Sequence, residues 1–269
     1  MLEKSTYNNR SLAAALTVAL IALSAGVGMA QPPGALEVVN AGSGGAVVAP
    51  GSIASAFGKQ IGSSTQSALT LPLPIMLSGV SLQLKDASKA SVMAPLFYVA
   101  PNQINFVVPD TVATGIATAT ILNGGTPPAT TVQVATVAPG LFTVNGAGTG
   151  VPAALAIRRS IATQTDTDVP VFTCDAHGCT SVPIDLAAGT QVFLELFGTG
   201  IRGRSSLANV TATIGGASSQ VLFAGAQGQF PGLDQMNVAM PQNFSGHGEQ
   251  DLVLTVDGHA ANTVRVNVK

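Results

Sequence analysis

Tryptophan is absent, tyrosine occurs only twice, and charged side chains make up 9% of the 269 residues. Scarce aromatics leave little material for a platform on which sugar rings could stack. The 11 Lys and Arg face 13 Asp and Glu, and their closest groupings, Arg158-Arg159 and Arg202 with Arg204, are isolated pairs. Binding a nucleic acid needs clustered cations to displace counterions, so no nucleic-acid partner is expected. Cys174 and Cys179 are the only cysteines, and neither adjoins the N-terminal segment, where lipidation at a cleavage site would need one. The 3 histidines, His177, His247 and His259, fall in turn-like segments, and no Gly-x-Ser-x-Gly nucleophile elbow occurs. No glycine-rich phosphate cradle follows a strand-like run. Beyond the N-terminal segment no stretch carries a sustained helical stripe, and none is apolar enough to span a bilayer.

A weakly basic stretch ends at Arg10, and an apolar, small-residue run follows from Leu12 to Ala30. Gly28-Met29-Ala30 places small residues where a signal peptidase reads them, so residues 1–30 are expected to be a signal peptide cleaved before Gln31. The rival reading is an uncleaved membrane anchor. After cleavage the protein is expected to be exported: secreted, periplasmic or associated with the cell surface, without a membrane span.

The remaining chain says the same thing twice. Pro50-Gly51-Ser52 with Phe57-Gly58 returns as Ala188-Gly189-Thr190 with Phe197-Gly198. Leu96-Phe97 returns as Leu222-Phe223, and Asn123-Gly124 as Asp257-Gly258. Gln103-Ile104-Asn105 followed by Pro109 returns as Gln235-Met236-Asn237 followed by Pro241. A period this long is a whole domain, not a solenoid unit. Short alternating runs rich in Val, Thr, Ile and Leu, bounded by Gly, Pro, Asn and Asp, predict strands. Asn123-Gly124-Gly125 and Asp257-Gly258 predict hairpin turns whose central residues take positive φ. The fold class is therefore all-β, as two tandem immunoglobulin-like β-sandwiches, residues 31–142 and 151–269. The glycine-rich segment 143–150 reads as a hinge. The block 153–186 in the second unit has no counterpart in the first, and such additions are where function tends to diverge.

Few side chains invite chemistry. Gln103 with Asn105, and Gln235 with Asn237, point to one strand face and read as structural amides that satisfy irregular backbone; lining a ligand site is the alternative. Pro109 and Pro241 end these strands by removing a ladder donor. Cys174 and Cys179, in an exported chain, read as a local disulfide at a hairpin tip. An exposed redox pair, or a metal site with His177, are the alternatives, and the latter lacks a fourth ligand. Asp166 and Asp168, with Asp175 nearby, could offer calcium hard oxygens, but the spacing favours a solvated loop. Glu195 and Asp185 are the nearest approach to a glycosidase carboxylate pair. Glu195 lies mid-strand between Leu194 and Leu196, so it should face outward or pair with an arginine. No catalytic residue, metal or cofactor is expected.

Several of these motifs carry a resemblance. Pro50-Gly51-Ser52 with Phe57-Gly58, Pro95-Leu96-Phe97-Tyr98-Val99 running into Ala100-Pro101-Asn102-Gln103-Ile104-Asn105-Phe106, and Ala138-Pro139-Gly140-Leu141-Phe142 are similar to the exported C-terminal domain family expanded in Solibacter-type acidobacteria. Phe197-Gly198-Thr199-Gly200-Ile201 and Phe230-Pro231-Gly232-Leu233-Asp234-Gln235-Met236-Asn237-Val238 extend the resemblance to about Val39–Lys269. It implies tandem folds of the IPT/TIG kind and no particular activity. The expected function is an exported, non-catalytic module for adhesion, envelope scaffolding or extracellular recognition. Its partner would be an extracellular protein or polysaccharide. The alternative is an accessory carbohydrate-binding component of a polysaccharide-degrading system.

Overall fold

A computed structural model describes residues 35–269; the expected signal segment, residues 1–30, lies outside the described residues. The described chain is all-β, with several sheets and only two single-turn helices. The first half contributes β1 (Glu37–Asn40), β2 (Val47–Val48), β3 (Ile53–Phe57), β4 (Gln66–Ser67) and β5 (Ser81–Lys85). It continues with β6 (Ser91–Met93), β7 (Leu96–Ala100), β8 (Gln103–Val107), β9 (Gly115–Leu122) and β10 (Ala129–Val134). Next come β11 (Gly140–Leu141), β12 (Ala154–Ser160), β13 (Asp166–Val169), β14 (Phe172–Asp175), β15 (Gly178–Ser181) and β16 (Thr190–Thr199). The last are β17 (Val210–Ile214), β18 (Ala217–Ser219), β19 (Val221–Ala226), β20 (Asp234–Ala239), β21 (Gly248–Val256), β22 (His259–Ala260) and β23 (Val264–Val268).

In the first half, the sheet β1-β3-β8-β7-β4 faces the sheet β2-β10-β9-β5-β6. Alternation sends Ala54, Ala56, Ile104 and Phe106 from one sheet, and Leu82, Leu84, Ala119 and Ile121 from the other, into one core. In the second half, β13-β12-β16-β20-β19 faces a sheet built on β18, β17, β21 and β23. Leu194, Leu196, Met236 and Val238 meet Ile214, Leu252, Leu254 and Val266 there. Each fully buried side chain of this size contributes about 1.5–3 kcal/mol, and the opposed sheets are consistent with β-sandwich packing.

The pairing recurs between the halves. β1-β3-β8-β7 corresponds to β12-β16-β20-β19, and β10-β9-β5-β6 to β23-β21-β17-β18. A register shift between Leu96 and Tyr98 on β7 recurs between Val221 and Phe223 on β19. In both copies the residue past the shift pairs with the asparagine of the amide motif: Tyr98 with Asn105, Phe223 with Asn237. Leu96 therefore corresponds to Val221 and Phe97 to Leu222, one position away from the match that residue identity suggests. Gly51 and Gly189, both at positive φ, make the same turn into β3 and β16, closed by Ser52 N–H to Ala49 O and Thr190 N–H to Ala187 O.

Other expectations change. Asp257-Gly258 is a two-residue turn, with both φ positive (48° and 81°) and Val256 paired with His259. Asn123-Gly124 instead opens a longer loop, residues 123–128, because Pro127 and Pro128 cannot extend the ladder. Within the block 153–186, β12 occupies the place of β1: Leu155 pairs with Glu195 as Val39 pairs with Ser55. The added material is thus β13 and the β14–β15 hairpin. The segment 143–150 is not a free tether. Asn262 accepts from Leu141 N–H and donates to the Leu141 and Gly148 carbonyls, and Arg265 N–H donates to Gly150 O.

The halves are packed against one another. Gly140–Leu141 pairs with the end of β16, and Leu141 lies in the second core. A third apolar cluster joins Ile53 of the first half to Phe142, Ala153, Phe197 and Leu233, with Phe97 and Leu155 against it. Buried Asn40 donates from Nδ2 to the Ala138 carbonyl at 2.7 Å and accepts from Gly42 N–H at 2.8 Å. Gly140 has no room for a Cβ, which would strike Asn40 Oδ1.

Candidate functional site

The first amide motif sits deep in the fold, and the second, Gln235 with Asn237, is half-buried. Asn105 is 1% exposed, and its Oδ1 accepts from Ser55 Oγ and from Gln103 Nε2, both at 2.9 Å. Asn237, half-buried, accepts from Gln235 Nε2 at 2.9 Å. Pro109 and Pro241 each follow one residue that still bonds, Val108 N–H to Ser52 O and Met240 N–H to Val192 O. Pairing in the ladder ends at the prolines, where no N–H is available.

Cys174 and Cys179 are joined across the β14–β15 hairpin, with Cα atoms 4.0 Å apart and Ala176-His177 at its tip. With both sulfurs in the disulfide, no thiolate is left for a metal. Among the described residues no cluster of three His, Cys, Asp or Glu is placed to hold a metal ion. Asp166 and Asp168 are in a strand, not a loop. Arg159 grips Asp166 through two bonds of 2.7 and 2.6 Å, holding its carboxyl below the usual range. Both Asp166 oxygens are thereby engaged by a guanidinium rather than turned towards a metal ion.

Glu195 does not face solvent. It is 4% exposed, and burial, with a smaller contribution from Asp168, pushes its carboxyl up to about 7. Its face of β16 also carries Phe197 and lies beside Leu155, both packed in the cluster between the halves. Strand alternation points Glu195 away from its own core, and the packing of that face between the halves buries it. Ser55 holds the corresponding place in the first half: Ser55 pairs with Asn105 as Glu195 pairs with Asn237.

The site that residue patterns did not reveal is an open groove of about 1080 Å³ between the halves. One wall is Thr114–Gly115 and Gln133–Val137, where β9 begins and β10 ends. The other is Ser205, Ala208, Asn209, Thr211, Thr255 and Asp257–His259. Thr211 and Thr255 are cross-strand partners and so present their hydroxyls side by side. Asp257 is fixed by Ser205, whose Oγ donates at 2.6 Å and whose N–H donates at 2.8 Å. Asn209 Nδ2 donates to Ser205 Oγ at 2.8 Å. The Ser205 bonds, with smaller help from His259 and Asn209, hold the Asp257 carboxyl below its ordinary range. Nothing in the local sequence pairs these two walls, so only the docking of the halves reveals the groove.

A hydroxyl, an acid and an imidazole share this groove, but in an order unlike that of an acyl-transfer triad. There, the imidazole takes the serine proton and the acid orients the imidazole. Here Ser205 Oγ donates directly to Asp257 Oδ1, so the carboxylate orients the hydroxyl and the hydroxyl caps the carboxylate. The arrangement is suited to presenting polar groups in fixed positions. No helix among the described residues is long and apolar enough to cross a membrane. No family model matches the chain, and no curated protein matches it.

Proposed function

We propose that this chain is an exported, non-catalytic recognition module made of two immunoglobulin-like sandwiches. The groove between them is the contact site for an extracellular polymer or protein. The carrying observation is that groove: its polar side chains are exposed, and Ser205 and Asn209 hold Asp257 in place. The recurrent strand pairing supports the tandem reading, as do the motifs shared with the Solibacter-type family and the IPT/TIG-like fold they imply. Export is compatible with the Cys174–Cys179 disulfide, a bond that persists in oxidising compartments.

The experiment is expression of the full chain with its own N-terminal segment in a bacterial host, followed by fractionation and an esterase and glycosidase assay. The expected outcome is protein recovered outside the cytoplasm, beginning at Gln31, oxidised at Cys174 and Cys179, and without turnover. Cytoplasmic protein with free thiols would refute export. Turnover abolished by Ser205→Ala would refute the non-catalytic reading.

A further inference from the structure

We infer that the groove takes a neutral, hydroxyl-rich glycan chain, held by hydrogen bonds more than by ring stacking. This inference rests on the recognition reading above and adds the ligand class. The lining chemistry selects it. Among the described residues no Lys or Arg lines the groove, so phosphate, sulfate and uronate groups find no counter-charge there. Val134 and Val137 are buried, so the apolar share of the exposed lining comes from Ala135, Ala208 and threonine methyls, short groups that form no deep seat for an acyl chain or a large apolar side chain.

What the groove offers instead is hydroxyl and amide. Thr136 and Gln133 on one wall, and Thr211 and Thr255 on the other, each supply both a donor and an acceptor. Sugar hydroxyls need that dual capacity, since each donates one bond and accepts others. Asp257 adds a charged acceptor whose position Ser205 fixes, so little ordering cost falls on binding. Charge-assisted bonds to a carboxylate are the strong ones in such a set. Among the described lining residues His259 supplies the one flat ring. The volume lies at the upper end of small-ligand sites, which run to roughly 1,000 Å³, and the groove is open, so a polymer can pass through it.

Affinity electrophoresis of the oxidised protein through gels containing hydroxyethylcellulose, glucomannan, xylan or polygalacturonate tests this directly. The expected result is retardation by at least one neutral polymer and none by polygalacturonate. Gln133→Ala and His259→Ala, exposed positions on opposite walls, should each weaken that retardation at least tenfold with unchanged melting temperature. Thr173→Ala on the cystine hairpin, which does not line the groove, should leave it intact. Retardation by polygalacturonate alone, or by none of the four, would overturn the inference. So would wild-type retardation in both wall variants, although the recognition reading would then survive with its contact surface elsewhere.

Discussion

Thr199 and Ile53 are joined across the two halves: Ile53 N–H donates to Thr199 Oγ1 at 2.7 Å, and that hydroxyl donates onward to the Gly232 carbonyl at 2.8 Å. Thr199 is fully buried. Valine at this position keeps the shape and removes both bonds, stranding a buried donor and acceptor at about 1–3 kcal/mol each. Thr199→Val should therefore lose about 2–6 kcal/mol in urea unfolding, and Thr199→Ser far less. A Thr199→Val protein as stable as wild type would show that this hydroxyl does not hold the halves together.

The duplicated amides predict an unequal response. Asn105 Oδ1 serves two donors, and removing it leaves the buried Ser55 hydroxyl without that acceptor. Asn237 is half-buried, where water can replace a lost bond. Asn105→Ala should cost about 1–3 kcal/mol and Asn237→Ala clearly less, both read by calorimetric melting. The reverse order would mean that the motif is supported differently from the contacts described.

Strand content and the cystine hairpin were legible because each depends on local pattern, and the repeated motifs fall on strands whose pairing recurs. Alternation at Gln83-Leu84-Lys85 or Val264–Val268 reports which face is wet, and Asp257-Gly258 reports a turn in two residues. Two of the misreadings concern what covers a surface. Alternation rightly set Glu195 apart from Leu194 and Leu196, but it cannot say that the opposite face lies under a second contact. The glycines of 143–150 suggested freedom, whereas Asn262, more than a hundred residues later, fixes them. The groove was invisible for the same reason: Gln133 and Thr211 become neighbours only after docking. The one-residue slip at Phe97 and Leu222 arose because residue identity does not report register: Leu96 pairs with Phe106 as Val221 pairs with Val238.

The Cys174–Cys179 bridge spans a short, largely exposed two-stranded hairpin in the second half. Closing so few residues removes little unfolded-chain entropy, on the order of 2 kcal/mol at most. Replacing both cysteines by serine should lower the main melting transition only slightly while sharply increasing amide exchange across 172–181. Loss of cooperative folding in the double variant would instead make the hairpin part of the core's stability.

Glu195 makes stability depend on pH in a direction opposite to ordinary acid denaturation. Its carboxyl titrates near 4.5 when unfolded and near 7 when folded. Between those values the native state holds a proton that the unfolded chain has released, so stability falls as pH rises through that window. Below about 4.5 the penalty vanishes; above 7 it is complete, at about 3 kcal/mol for a shift of this size. Asp166 and Asp86 act at lower pH, because Arg159 and Ser88 hold their carboxyls down and their contribution disappears only as pH drops through those depressed values. Glu195→Gln mimics the protonated acid. It should match wild type at pH 4.5 and exceed it by about 3 kcal/mol at pH 8, measured by urea unfolding at both values. Parallel pH profiles for the two proteins would mean that Glu195 is ionised in the folded state and that its burial is compensated by another group.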